Sequence, residues 1–464
     1  MKDLVFKRRL SGKLKKELFL LALAILLLIA SSWIAWNYYD ISVFLEWAKI
    51  AESKNVLRIY SDARKAGYMP LAPIVFIATY IIAKGIFEAL VQIASIIGAY
   101  YIDFMKLFMR IPLLLAIIAT GFLLYKREGW SVAKWWFFGI PVWIVYLAYQ
   151  FDPLMVLFMV WGAYLFVEKK YYASGVLWGI GTALKFVPIL FVPLAFKVIS
   201  DRRVFIKFII SFLVPVTIIS LPFLLFNPVL MVKKVLEFHA SRYPQMLSIF
   251  NIPMLATNHN LAFSDILNWA WIPVFVAIYT IILMTVDVKE GNKDSLFAAF
   301  ALITLAFIIF NKVQNPQYIL WSYPFLVYSF NKLGSKKVKY ALLVATLIGS
   351  VIYPLMYYVP PAVLNKPILI EEDMKLYSAR DLLVKSFEGS GKFIIEGFLN
   401  FMHKHFLQLS MVLYSNFNIL GALAVSIYNA LLLLLFLNLF KFRCSLSSIG
   451  FLIKKYVSKQ LSRY

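Results

Sequence analysis

LFLLALAILLLIASSWIAW, residues 18–36, contains no charged side chain, and Asp40 stands four positions beyond its end. A helix needs roughly 20 predominantly apolar residues to cross the hydrocarbon of a bilayer. Residues 18–36 meet that length, and so do 205–226, 266–286 and 411–440. Backbone groups in lipid must be satisfied within the chain, which leaves helices or a closed barrel. A barrel reads as ~10-residue alternating segments, whereas these runs are continuous. Composition points the same way: 62% of residues are apolar and 15% charged, with a mean hydropathy of +0.79, against about 45–50% and 25% in a soluble domain. The fold class expected is all-α, a polytopic transmembrane helical bundle.

Net charge is +24, and its distribution sets the topology. Short basic loops stay cytoplasmic. Lys7, Arg8, Arg9, Lys13, Lys15 and Lys16 precede the first run, so the N-terminus is expected inside and Asp40 outside. No small-residue cleavage site follows the run, which makes it an anchor rather than a removed signal. The same rule assigns Lys126-Arg127 with Lys134, Lys169-Lys170, Arg202-Arg203 with Lys207, and the clusters at 332–339 and 441–455 to the cytoplasmic face. Parity then turns the about thirty residues between Lys170 and Arg202 into a hairpin of two short helices with its apex near Lys185, in place of one ~27-residue span. Crossings are expected to start near residues 18, 70, 86, 106, 131, 153, 172, 186, 204, 266, 295, 318, 340 and 411, about 12–14 in all. Long loops at 37–69, 227–265 and 358–406 fall outside. Residues 1–358 form the expected membrane module with the first two of these loops. Residues 359–464 supply an external amphipathic segment, a C-terminal anchor and a basic cytoplasmic tail.

A single cysteine, Cys444, excludes an intrachain disulfide, and no Cys/His spacing suggests a structural metal. No Walker sequence or glycine-rich nucleotide loop is present, so activated substrate must come from elsewhere, most simply a lipid-borne donor. No inverted repeat is visible, which counts against a secondary transporter.

Polar residues recur at the outer boundaries. Asp40 opens DISVFLEWAKIA, residues 40–51, which reads as a short helix with Phe44, Leu45, Trp47 and Ala48 on one side, Asp40 as N-cap and Trp47 at headgroup level. Taken alone, capping is the commoner use of such an aspartate. Further along stand Tyr68-Met69-Pro70-Leu71, Gln150-Phe151-Asp152-Pro153, and Gly179-Ile180-Gly181-Thr182-Ala183-Leu184-Lys185-Phe186-Val187-Pro188. His239-Ala240-Ser241-Arg242 and Asn315-Pro316-Gln317-Tyr318-Ile319-Leu320-Trp321 follow.

In this order, over roughly residues 37–324, the set resembles the GT-C class of integral-membrane glycosyltransferases. Within that class it is most similar to polyprenyl-phosphate-mannose-dependent mannosyltransferases and the GPI mannosyltransferase I group. The resemblance implies a lipid-phosphate sugar donor, chemistry on the non-cytoplasmic face, and an acidic residue of the first external loop as base. Two departures stand out. The proline doublet often found near Tyr68-Met69-Pro70 is reduced to one proline, and no second acid flanks Asp40, whose neighbours are Tyr39 and Ile41. The second departure weakens a two-carboxylate metal site.

Glycosyl transfer from a polyprenyl phosphate needs a base for the acceptor proton and cations for the departing phosphate. Asp40 suits the first task. Lys185, His239 and Arg242 suit the second, although a lone lysine often snorkels to the interface and a basic loop is also drawn to anionic headgroups. Tyr68, Asp152, Asn315, Gln317 and Tyr318 are the substrate-binding candidates. Asp152 either orients the acceptor, shares a divalent ion with Asp40, or caps the helix at Pro153. Asp62 competes as base, but Ser61-Asp62-Ala63-Arg64 reads as a solvated turn. Tyr318 and Trp321 equally suit an aromatic belt. His259 reads as an ordinary loop residue, and His403 with His405 is too weakly matched for a metal. No metal ligands are assigned; a divalent cation, Mg or Mn, is held open as cofactor.

The function expected is an inverting transferase moving a hexose, mannose first, from a polyprenyl- or dolichyl-phosphate sugar to a lipid-linked or cell-surface glycan. The site would face the extracytoplasmic side of the cell membrane. Expected partners are the donor, the glycan acceptor and membrane lipids, with no nucleic acid. The alternative is a transporter or flippase of lipid-linked sugars, with Lys185 and Arg242 lining a central path. Residues 371–373 and the amphipathic stretch to Phe406 form either a cap or a lid.

Overall fold

A computed structural model describes residues 2–91, 101–257, 264–370 and 375–443. His259, the acidic run 371–373, Cys444 and the basic tail lie outside the described residues. The chain is an all-α polytopic bundle. Helices α1 (Lys2–Ser31), α2 (Tyr38–Ser53), α3 (Ile59–Asp62), α4 (Leu71–Val91), α5 (Tyr101–Met109) and α6 (Ile111–Glu128) open it. Short helices α7 (Trp130–Phe137), α8 (Ile140–Leu147), α9 (Asp152–Val167), α10 (Tyr171–Leu184) and α11 (Val192–Val198) come next. Then follow α12 (Arg202–Phe226), α13 (Pro228–Ser241), α14 (Asn251–Ala256), α15 (Ser264–Thr285) and α16 (Lys293–Ile309). The last are α17 (Ile319–Leu333), α18 (Lys336–Leu347), α19 (Tyr353–Val363), α20 (Ala379–Ser386), α21 (Gly391–Ser415) and α22 (Phe417–Arg443).

Among the described residues, six stretches are long and apolar enough to cross a membrane: Leu71–Val91, Tyr101–Glu128, Arg202–Phe226, Ile266–Thr285, Lys336–Val363 and Phe417–Lys441. The starts expected near 131, 153, 172, 186, 295 and 318 fall on helices of 17 residues or fewer. Two expected starts are wrong. Residue 86 lies inside the unbroken α4, because Leu71–Val91 is one continuous apolar stretch of 21 residues, long enough to span as a single helix. Residue 411 lies inside α21, and the final long helix begins at Phe417.

The hairpin at 171–198 is present. Helix α10 ends at Lys185, whose extended backbone (φ −159°, ψ 137°) breaks the chain before a 310 turn, Val187–Phe191, and α11. Gly175 and Gly179, one turn apart, let α10 press against α12: a β-carbon on Gly179 would stand 2.2 Å from the Phe212 carbonyl oxygen. Small residues permit such close backbone approach in membrane bundles.

The two ends of the bundle differ. At one, the basic clusters gather with their counter-ions: Arg127 and Lys170 on Glu168, Lys169 on Glu290, and Lys293 on Glu128. At the other lie α2, α3 and α13. Strands β1 (Gln245–Met246) and β2 (Val313–Gln314) pair in parallel there. Arg110, fully buried, ties this end together by donating to the carbonyls of Ser32, Ala35, Tyr146 and Leu147.

A cap covers the same end. Strands β3 (Pro367–Ile370) and β4 (Lys375–Ser378) pair antiparallel, and with α20 and the first turns of α21 they enclose a small core of Tyr357, Ile368, Ile370, Ala379, Ile395 and Leu399. The cap reaches the first loop through Ser386, whose carbonyl accepts from Trp36 N and whose hydroxyl accepts from Tyr38 N. The boundary expected at 358/359 falls inside α19, and α22 packs Val425, Tyr428 and Leu432 into the main core.

Candidate active site

Helix α2 places Asp40. Its N-cap is Asn37, whose side-chain oxygen accepts from Tyr39 N, so Asp40 sits in the first turn and is not the cap. The Asn37 amide, freed on its nitrogen side, donates to Asp40 Oδ2 at 2.8 Å. Gln150 Nε2 donates to the same oxygen at 2.5 Å. Two amides therefore orient the carboxylate. Trp47 is not at headgroup level: it is buried and donates to the Lys65 carbonyl at 2.7 Å. With Phe44, Tyr68, Phe76 and Phe151 it forms an aromatic wall.

Asp152 is the first residue of α9, one position past the cap Phe151, with its side chain turned into the protein. Lys185 Nζ meets Asp152 Oδ1 at 2.9 Å, and Trp321 Nε1 donates to the same atom. The lysine does not snorkel. Its ammonium also lies 5.1 Å and 4.9 Å from the ring centres of Tyr318 and Trp321, which stack on each other at 3.9 Å. Both rings are buried and belong to no belt.

His239 lies in the last turn of α13, and Arg242, in extended backbone, caps the helix after Ser241, so the two do not share a helical face. Arg242 is buried, donates from Nε to Gln245 Oε1 at 3.2 Å and stacks on Phe238. His239 Nε2 lies 3.0 Å from the Gly67 carbonyl. Desolvation, then Arg242 with Lys185 and Lys312, hold its pKa well down, to about 4. A ring with that pKa meets the Gly67 carbonyl as a hydrogen-bond donor.

One cavity takes in Asp40, Lys65, Tyr68, Lys185, His239, Arg242, Asn315, Gln317 and Tyr318. Every singled-out site residue except Asp152 lines it, and Asp152 holds one that does. Two cations went unnoticed in the sequence. Lys65 lines the cavity and donates to the Tyr39 hydroxyl. Lys312 is buried, donates to the Ala240 carbonyl and Asn268 Oδ1, and has its pKa lowered to about 8 by desolvation and by Arg242. A lysine between two apolar helices, as in Phe310-Asn311-Lys312-Val313, was the signal available for the second. Asp62 stands apart, in a surface pair with Lys54 at 2.6 Å that lowers its pKa. His403 binds the Val363 carbonyl, away from the cavity.

Asp40 Oδ2 accepts from two amide N–H groups and Asp152 Oδ1 from an ammonium and an indole, while Asp152 Oδ2 is buried with no hydrogen-bond partner. Among the described residues no three His, Cys, Asp or Glu side chains converge.

Fold and cavity together define an integral membrane protein with a charged, aromatic-walled site sunk into one end of a helical bundle. Residues 104–310, a little under half of the chain, match the family model GT87, glycosyltransferase family 87, a GT-C-type membrane family. The match spans Asp152, Lys185, His239 and Arg242 and supports a glycosyltransferase. No curated protein matches the chain significantly.

Proposed function

We propose that the protein is an inverting glycosyltransferase that moves a hexose, mannose first among candidates, from a polyprenyl-phosphate donor to a lipid-linked or cell-surface glycan on the extracytoplasmic face. The observation that carries this reading is the convergence of Asp40, Lys185 and Arg242 from three separate segments on one cavity. The acceptor hydroxyl loses its proton to Asp40 as its oxygen attacks the anomeric carbon. The bond from that carbon to the phosphate oxygen breaks, and the electron pair leaves with polyprenyl phosphate. Lys185, Arg242 and Lys65 meet the charge that develops there. One carboxylate suffices because no covalent intermediate forms. Tyr68, Asn315, Gln317 and Tyr318 line the space left for the sugar.

Packing argues against a flippase. Halfway along α9 to α17 the bundle is filled by Trp178, Phe191, Phe208, Phe300 and Phe325, in ring contacts of 4.6–5.8 Å. The test is transfer by purified protein from synthetic polyprenyl-phosphate mannose, glucose and arabinose to extracted membrane glycans. Wild type is expected to transfer one of these sugars, and Asp40→Asn to lose about 10²–10⁴-fold. Equal transfer by both moves the base elsewhere; tight donor binding without any transfer favours the flippase.

A further inference from the structure

Helix α2 has a second occupied face. With 3.6 residues per turn, neighbours on a helix point about 100° apart. Asp40, Val43, Phe44 and Trp47 line the cavity, while Tyr38, Tyr39 and Ser42 line a separate cleft of about 390 Å³. Its opposite wall is the cap, through Tyr377, Asp381 and Lys385, and Arg64 closes one side. Leu382 is its one aliphatic residue among the described residues. Helix α2 is thus a partition, with Asp40 on one side and Tyr39 next to it on the other. The hydrogen bond from Lys65, a cavity residue, to the Tyr39 hydroxyl links the two spaces.

We propose that this cleft binds the saccharide part of the acceptor, a reading that rests on the transferase assignment above. A sugar offers flat C–H faces for aromatic rings and paired hydroxyls for charged side chains. The cleft offers both. Tyr39 and Tyr377 meet edge to face at 5.9 Å, and Tyr38 carries the Lys385 ammonium 5.0 Å above its ring. Asp381 and Arg64 present charged groups at the exposed rim. Tyr39 and Asp40 are consecutive residues of α2, about 3.8 Å apart at their α-carbons, so the cleft adjoins the segment that carries the base.

The experiment is saturation-transfer NMR on the full-length purified protein with mannotriose, maltotriose and an acetylated Ser/Thr tripeptide, no donor present. One trisaccharide is expected to bind in the millimolar range. Tyr377→Ala and Asp381→Asn weaken it about tenfold, and Lys332→Ala, exposed among the basic clusters, leaves it unchanged. Asp381→Asn sits on an exposed helix turn and guards against a folding defect in the first variant. No trisaccharide binding, binding of the peptide instead, or loss with Lys332→Ala but not with Tyr377→Ala overturns the proposal. The readout needs no transfer. Saccharide binding that follows the cleft variants, in a protein that transfers nothing, would keep the cleft and sink the transferase; transfer whose acceptor KM ignores Tyr377→Ala would do the reverse.

Discussion

Lys185 shows how one residue can be read from sequence and still be misjudged. An ammonium among apolar residues must find a partner or reach water, and sequence cannot say which. The structure pairs it with Asp152, which is 1% exposed, and sandwiches it against Tyr318 and Trp321. Removing one member of a buried pair leaves an uncompensated charge, at a cost of about 3–5 kcal/mol. Lys185→Met is expected to lower the Tm and to cut transfer by about 10²-fold. Adding Asp152→Asn should recover most of the Tm but not the transfer. Recovery of both would reduce Lys185 to a counter-ion for Asp152. His239 gives a pH prediction. Its folded pKa, about 4, lies below the roughly 6.5 of an unfolded histidine. Between these values the unfolded chain binds the proton that the folded one refuses, so this part of the stability is present above about pH 6.5 and is lost as pH falls toward 4. His239→Gln keeps a donor for Gly67 and should flatten the Tm slope in that window. An unchanged slope would place the titration elsewhere.

At the scale of elements, the hairpin of α10 and α11 was legible from parity alone, since basic residues at both of its ends forced the chain to return. Its tightness was not. Gly175 and Gly179 matter because of what α12 brings against them, and their contact is the reason Lys185 stands where it does. Gly179→Leu is expected to force α10 and α12 apart, destabilise by about 1–3 kcal/mol and weaken donor binding. Gly85→Ala on α4, where nothing lies within 4 Å of the new β-carbon, should instead be neutral or stabilising by about 0.5–1 kcal/mol. Thermal unfolding of both variants in detergent would separate a packing effect from helix propensity. Helix α2 is the converse case. Its existence and polar start were readable, but the cap fell on Asn37, because an Asn three residues before an acid can both close the helix and bind it.

At the scale of the whole molecule, the two ends carry different chemistry, and the charge rule assigns them to opposite faces of the membrane. Lys332 and Lys392 are both exposed, the first at the basic end and the second on the cap. In a Cys444→Ser background, Lys392→Cys is expected to react with a membrane-impermeant maleimide in intact cells, and Lys332→Cys only after permeabilisation. The opposite pattern would invert the topology and place the cavity in the cytoplasm.

Hydrophobic run lengths determined by themselves that this chain is a bundle of membrane-spanning helices, because lipid leaves the backbone few choices. The order of polar motifs likewise pointed to Asp40, Lys185, Arg242 and Gln317. Only the tertiary structure decided that Asp152 holds Lys185, that the pKa of His239 is lowered, and that Lys65 joins the cavity with Lys312 buried behind it. It also set the cap against the other face of α2. Those facts depend on which side chains from distant segments meet, and on how much water and charge surround them once they do; neither is written in any single stretch of the chain.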